Sequence, residues 1–241
     1  MLVLRSTVYQ IAFLIWTALL GIAGLPLLLA SRRSVMRFGT FWSRGVLVLL
    51  RIICGLDYEL RGREHLPEGP AIIAMKHQSA WETFAIPVLF EDAASVIKRE
   101  LGWIPFYGWY TLKAGSIAVD RGAGSRALKR MLAAAARVKA QGRKIAIFPE
   151  GTRGAVGETR IYLPGVAALY QYLHLPLVPV ALNSGLFWKR RGFLRRPGTV
   201  LIEILPAIAP GLDRREVMER LRAEIESATA RLVDEARARG T

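Results

Sequence analysis

The segment GSIAVDRGAGSRALKRMLAAAARVKAQGRKIAIFPEG, Gly115 to Gly151, reads as strand, helix, strand. Its two apolar runs, GSIAVD and KIAIF, are short and β-branched, as buried strands are. The stretch between them, GSRALKRMLAAAARVKAQG, is built from strong helix formers, and Gly142 supplies a C-terminal stop. Working outward, DYELRG, AIIAM and ASVIK precede this unit and PLVPVAL and TVLIEIL follow it, each a further candidate strand. The tail LDRREVMERLRAEIESATARLVDEARARG reads as one helix. Asp213 and Glu216 open it as a capping box, and Val217, Leu221, Ile225, Ala228 and Leu232 form an apolar stripe. Short buried strands alternating with helices predict one α/β domain, with a mixed, partly parallel sheet of about seven strands flanked by helices.

Residues 1–55 are of another kind. From Ser6 to Ser31 no residue is charged, and as a helix this stretch would be roughly 39 Å long, enough for a hydrocarbon core of about 30 Å. Gly21, Gly24 and Pro26 permit a kink or a re-entrant path. Arg32, Arg33, Arg37, Arg44 and Arg51 follow, against Arg5 before it, so the positive-inside rule keeps the rest of the chain on the cytoplasmic side, at the inner membrane in a bacterium. In MRFGTFWSRGVLVLLRIICGL the arginines recur every seventh residue among aromatic and aliphatic side chains, the pattern of an interfacial helix. The predicted organisation is membrane-inserted or interfacial helices over 1–55 and the α/β domain over 56–241.

The net charge of +15 is compatible with nucleic acid, an anionic membrane or an anionic substrate. Two adjacent apolar, Trp- and Phe-containing segments favour the membrane, and no nucleic acid partner is expected. The single cysteine, Cys54, excludes an intrachain disulfide and reads as core or lipid-facing filler. Three scattered histidines and one cysteine give no metal-ligand spacing, and no cofactor is called for.

In α/β sheets, sites form in loops at the carboxyl ends of strands. AIIAM runs into KHQSAWETFAIP, where His77 is followed five residues later by Glu82. Mid-helix, residues five apart lie about 140° apart round the axis. His77 and Glu82 can meet if the histidine sits on the turn and the glutamate in the first turns of the next helix, with Ser79 a suitable cap. A carboxylate at one ring nitrogen leaves the other as a base, and the spacing compels no serine or cysteine nucleophile. After KIAIF comes PEGTR. Gly151 allows close backbone approach, Thr152 adds a hydroxyl, Arg153 offers a planar fork for phosphate or carboxylate, and Glu150 orients that arginine or a substrate hydroxyl. Lys98 and Arg99 read equally as ligand-facing or as a solvated rim. Trp103, Pro105, Phe106 and Trp109 read equally as core or as a membrane-facing lip. His65 and His174 read as ordinary loop residues.

Together, KHQSAWE and FPEGTR resemble the first and third blocks of the glycerolipid acyltransferase family, specifically the 1-acyl-sn-glycerol-3-phosphate acyltransferases. KRELGWIPFYGWYTLKAGSIAVDR, ending in Arg121, is similar to the second block, and LVPVAL with Pro179 to the fourth, over roughly residues 56 to 205. Glu82 stands where the family usually has aspartate, making the first block His-x4-Glu, and Lys76 replaces the commoner asparagine. The resemblance implies that His77, held by Glu82, deprotonates the sn-2 hydroxyl of lysophosphatidic acid. That oxygen attacks the thioester of acyl-CoA or acyl-carrier protein, without an acyl-enzyme, giving phosphatidic acid for phospholipid synthesis. It assigns the acceptor's phosphate to Arg153 and Arg121, with Lys98 a further candidate. Amides at the start of the helix after His77 would receive the oxyanion. Two alternatives stay open: another acceptor, such as lyso-ornithine lipid, another lysophospholipid or glycerol 3-phosphate, and a non-catalytic protein that only binds anionic membrane.

Overall fold

The computed structural model describes residues 1–120, 122 and 124–240. Each candidate strand forms: β1 (Leu56–Arg61), β2 (Ile72–Met75), β3 (Ala94–Lys98), β4 (Ile117–Val119), β5 (Ile145–Ile147), β6 (Leu177–Leu182) and β7 (Gly198–Ile204). They make one sheet in the order β1-β7-β6-β2-β5-β3-β4. The five strands from β6 to β4 run parallel, while β7 is antiparallel to β6 and parallel to β1. The sheet is therefore mixed, as its alternation with helices predicted.

Why the central strands are apolar throughout is clear from β2. Ile73 and Met75 enter the buried cluster on one face, and Ile72 and Ala74 enter the cluster on the other. With both faces covered there is no polar side to alternate with. The first face is covered by α3 (Trp81–Leu89) and by the N-terminal helices α1 (Leu2–Ala23) and α2 (Arg32–Leu49). The second carries α5 (Gly124–Ala140), α6 (Gly165–Leu173) and α7 (Arg214–Ala238), while the short α4 (Tyr107–Lys113) lies against α2 and the turn after α1. Helix α7 starts as expected, with Asp213 Oδ1 accepting from the amides of Arg215 and Glu216, and its Val217, Leu221, Ile225, Ala228 and Leu232 are all buried.

The uncharged N-terminal stretch is not one helix over 6–31. α1 begins at Leu2, takes in Arg5, and ends at Gly24, where a 3-10 turn (Leu25–Leu29) reverses the chain before Ser31 caps α2. Pro26 explains the stop, since it fits the first turn of a new helix but not the interior of an old one. α1 and α2 then lie antiparallel. Trp16 Nε1 donates to the Trp42 carbonyl and Trp42 Nε1 to Thr17 Oγ1, while the Cys54 thiol meets the Arg5 carbonyl at the far end. Gly45 faces the Trp16 ring so closely that any Cβ would strike it. Tyr9, Leu47, Leu50 and Cys54 are buried in the same cluster as the sheet.

Outward, α1 exposes Leu4, Ile11, Ile15, Leu19 and Ile22, and Leu29 at the turn is 93% exposed. Among the described residues α1 is the one helix long and apolar enough to cross a membrane, with mean hydropathy 1.6. Arg37 and Arg44 on α2 and Arg51 on the helical turn that continues it are all exposed, as their spacing predicted. The aromatic block divides: Trp103 and Trp109 are exposed, and Phe106 packs on Gly21 of α1.

Candidate active site

Because β6, β2 and β5 are neighbours and parallel, their carboxyl ends deliver three loops to one spot. β2 brings Lys76 to Ser79, β5 brings Phe148 to Gly154, and β6 brings Asn183 to Gly185. His77 sits between the flanking loops, and its backbone is held on both sides. Its amide donates to Glu150 Oε2 at 3.1 Å, and its carbonyl accepts from the Gly154 amide at 2.8 Å. The imidazole lies flat on the Phe148 ring, with centroids 3.8 Å apart and planes 11° apart. Its side chain is 12% exposed, and Nδ1 lies 4.0 Å from Glu82 Oε1.

The two residues meet as the spacing required, with His77 on the turn and Glu82 in the first turn of α3. Glu82 is completely buried. Its oxygens accept from the Gln78 amide (2.6 Å), the Ser79 amide (2.9 Å), Ser79 Oγ (2.7 Å) and Ser184 Oγ (2.9 Å). Burial pushes this carboxyl above the usual carboxylate range, and the amide and hydroxyl donors pull it back. Ser79 caps from one position early: Ala80 occupies the cap, and Ser79 Oγ accepts from the Trp81 amide.

One expectation is corrected here. The amides at the start of α3, assigned to an oxyanion, are already engaged: those of Gln78 and Ser79 by Glu82, and that of Trp81 by Ser79 Oγ. The longer glutamate side chain folds back over its own first turn and takes the positive end of the helix for itself.

PEGTR occupies the adjacent loop, but its glutamate turns inward. Glu150 Oε1 is bonded to Lys76 Nζ, which also reaches Glu226 Oε1 of α7 at 2.7 Å, and Tyr162 Oη donates to the same Glu226 oxygen. Lys76 is 1% exposed, so a buried cation is shared by two carboxylates. Burial raises the Glu150 carboxyl, and Lys76 opposes the rise. Gly151 takes φ +65°, the left-handed region where glycine is favoured. Thr152 Oγ1 accepts from Arg190 Nη2 at 3.3 Å, and Arg153 Nη1 donates to the Arg190 carbonyl at 3.1 Å.

His77, Glu82, Glu150, Gly151, Thr152 and Arg153 thus come together. Lys98 does not: it ends β3, which β5 separates from β2, and it is half exposed beside Glu100 at 3.3 Å. Arg121 lies outside the described residues. His65 contacts the Ile204 carbonyl and His174 closes α6, as their loop readings implied. Four contributors escaped the sequence reading: Ser184, Phe148, Tyr162 and Glu226. Only Ser184 carried a signal of the kind used for His77, a polar turn directly after an apolar strand. Phe148 also walls an apolar cavity of about 140 Å³ that reaches Gly21 of α1, Phe38 and Trp42 of α2, Pro87 of α3 and Tyr107 of α4. Among the described residues no cluster of His, Cys, Asp or Glu could hold a metal ion.

A family model described as Acyltransferase matches residues 57–183, just over half of the chain, with the loops after β2 and β5 inside the match and the loop after β6 at its end. The chain belongs to the acyltransferase family. It is 40% identical over 179 residues to the 1-acyl-sn-glycerol-3-phosphate acyltransferase of Pseudomonas aeruginosa, covering 74% of this chain and 70% of that one. A relative of the same name in Saccharomyces cerevisiae is 30% identical over 166 residues, and there the match spans 67% of this chain and about half (54%) of the yeast protein. The crystal structure of the 1-acyl-sn-glycerophosphate (LPA) acyltransferase PlsC from Thermotoga maritima superposes with a TM-score of 0.77, over 95% of this chain and 96% of that one. At 18% identity that likeness speaks for the fold. This acyltransferase is an enzyme, which sets aside a purely membrane-binding role.

Proposed function

We propose that this acyltransferase moves an acyl group from a thioester, acyl-CoA or acyl-carrier protein, to the sn-2 hydroxyl of lysophosphatidic acid, yielding phosphatidic acid for phospholipid synthesis. The observation that carries the reading is the placement of the His77 ring between the buried Glu82 carboxylate and the Phe148 face that walls the apolar cavity. Nδ1 faces the carboxylate, so Nε2 is the base. It takes the hydroxyl proton as the oxygen attacks the thioester carbonyl. When the C–S bond breaks, the imidazolium returns that proton to the departing sulfur, so the enzyme ends unchanged. Positioned base catalysis of this kind contributes about 10²–10⁴-fold.

Arg153 is the proposed holder of the acceptor's phosphate: it precedes Gly154, whose amide holds the His77 carbonyl, and one of its donors is on the Arg190 carbonyl. Arg121 and Lys98 complete the proposed set, Lys98 from farther along the sheet edge. The exposed apolar face of α1 and the exposed Trp103 and Trp109 fit a membrane-seated enzyme, and the arginine row of α2 fits an anionic cytoplasmic leaflet. The test uses purified protein in lipid micelles, lysophosphatidic acid and an acyl-CoA, with thiol release and phosphatidic acid followed together. Wild type should release one thiol per phosphatidic acid formed, and His77→Ala should lose on the order of 10³-fold in kcat. Equal rates in the two proteins would remove His77 from the chemistry. Transfer to a different lysolipid alone would move the acceptor.

A further inference from the structure

Besides the apolar cavity, a second one lies next to His77, lined by its neighbour Gln78 and by Gly154. After β6 the chain turns at Asn183–Gly185 and runs through Phe187-Trp188-Lys189-Arg190-Arg191-Gly192 before reaching β7. This loop, with Gln78 and Gly154 to Val156, lines an open cavity of about 680 Å³. It starts one residue from the base. Gln78 follows His77 directly, and the Gly154 amide holds the His77 carbonyl.

Three facts describe what this cavity would hold. Lys189, Arg190 and Arg191 line it, and none of them forms an ion pair among the described residues. By contrast, several arginines of α7 sit beside carboxylates, as Arg215 with Glu219, Arg220 with Glu224 and Arg231 with Glu203. Three adjacent unpaired cations repel one another and concentrate positive potential in a concave site, which favours an anion of several charges. Second, Gln78 is 1% exposed; its Oε1 accepts from the Gly185 amide at 3.0 Å, and its Nε2 is buried without a partner. A buried donor in that state lacks the acceptor that would repay its desolvation. Third, the volume falls in the range of sites for nucleotide-sized ligands, about 300–1,000 Å³, and a glycerol phosphate would leave most of it empty.

We infer that this cavity receives the phosphorylated nucleotide end of a coenzyme A thioester, with Lys189, Arg190 and Arg191 on its phosphates. The pantetheine arm would then lead the thioester past Gln78 to His77. The inference deepens the proposed acyl transfer and rests on it only for the donor being a thioester. Phosphate chemistry alone would also admit the lysolipid headgroup, so the test separates the two sources.

Full-length protein in micelles is titrated calorimetrically with coenzyme A. Lys189→Ala/Arg191→Ala is run beside wild type, both side chains being exposed. Coenzyme A affinity should fall about 10- to 100-fold, and the KM for palmitoyl-CoA should rise by the same factor, the loss expected from removing charge-assisted phosphate contacts. The KM for lysophosphatidic acid should stay within about twofold. Lys189→Arg/Arg191→Lys should restore binding, and an unchanged Tm shows that the alanine pair still folds. A rise in the acceptor's KM alone makes the cavity a headgroup site and overturns the inference. A rise in KM for acyl-carrier protein alone makes the loop a protein-docking surface and also overturns it. Intact transfer with unchanged coenzyme A affinity overturns it while leaving the proposed function standing. If wild type transfers nothing to lysophosphatidic acid, yet coenzyme A binding still falls in the alanine pair and persists in His77→Ala, the function fails and the site stands.

Discussion

Two buried glutamates flank His77, and they are handled in opposite ways. Glu82 is surrounded by neutral donors, two amides and two hydroxyls, whereas Glu150 is met by the ammonium of Lys76. Burial raises both carboxyls. Amides and hydroxyls satisfy lone pairs without cancelling charge, so Glu82 meets no cation and lies 4.0 Å from the imidazole, where on the proposed mechanism its carboxylate form would stabilise the imidazolium. Glu150 is neutralised in place, and its other oxygen fixes the His77 amide. The difference is one of division: on the proposed mechanism one carboxylate serves the base, and the other ties β2, β5 and α7 together around it.

The comparison breaks most visibly through Lys76. Lys76→Met leaves the buried Glu150 beside the partly exposed Glu226 with no cation, and losing one partner of a buried ion network costs about 3–5 kcal/mol. Thermal unfolding should therefore drop by on the order of 10 °C. Adding Glu150→Gln should recover part of it, because the remaining charge repulsion is gone. In the folded fraction kcat should fall less than about tenfold. Glu82→Gln should do the reverse, holding Tm more nearly and lowering kcat by about 10²–10³-fold, since the charge facing His77 is lost. Should Glu150→Gln lower kcat as far as Glu82→Gln does, the division is wrong.

A finer cut uses Ser184→Ala, which removes one donor from the Glu82 carboxylate. Removing a hydrogen bond to the charged form favours protonation, so the raised value climbs further. The acid limb of kcat/KM should then move to higher pH by about 1 unit, the worth of one such bond. Stability moves in the matching sense. A carboxyl raised on folding contributes fully below the ordinary glutamate range, and that contribution is lost as pH rises through the folded-state value. The Tm deficit of Ser184→Ala should therefore be smaller near pH 4 than at pH 7. An unmoved acid limb would mean that Glu82 does not titrate in the active range.

The Glu82 half of this comparison was largely legible in the sequence and the Glu150 half was not. His77 and Glu82 lie five residues apart across one turn, so strand end, helix start and spacing are local facts. The seven strands were legible for the same reason, each an apolar run bounded by turn residues. Glu150 showed as a loop carboxylate, but its partner is set by which strands are neighbours. Lys76 reaches it because β2 lies beside β5, and reaches Glu226 because α7 crosses that edge of the sheet. Ser184 likewise meets Glu82 because β6 flanks β2 on the other side. Nothing in a linear pattern states such adjacency. The extent of α1 was missed through Arg5, a charge that a helix end tolerates and that a search for uncharged stretches rejects.

Phe148 gives the smallest effect and the sharpest one. It belongs to the same loop as Glu150, yet its ring serves the same imidazole as Glu82, lying parallel to it at 3.8 Å. An imidazolium over an aromatic face gains about 0.5–2 kcal/mol from the ring's negative quadrupole, and neutral imidazole gains less. The ring would therefore favour the protonated histidine that the proposed mechanism forms as the acceptor loses its proton. Phe148→Leu keeps an apolar wall for the cavity and removes the aromatic face. We expect kcat to fall about 3- to 10-fold, with the KM for palmitoyl-CoA unchanged. Phe148→Tyr, which retains the face, should stay within about twofold of wild type. If the leucine variant raises KM and spares kcat, the ring acts as cavity wall alone, and the charge stabilising His77 belongs entirely to Glu82.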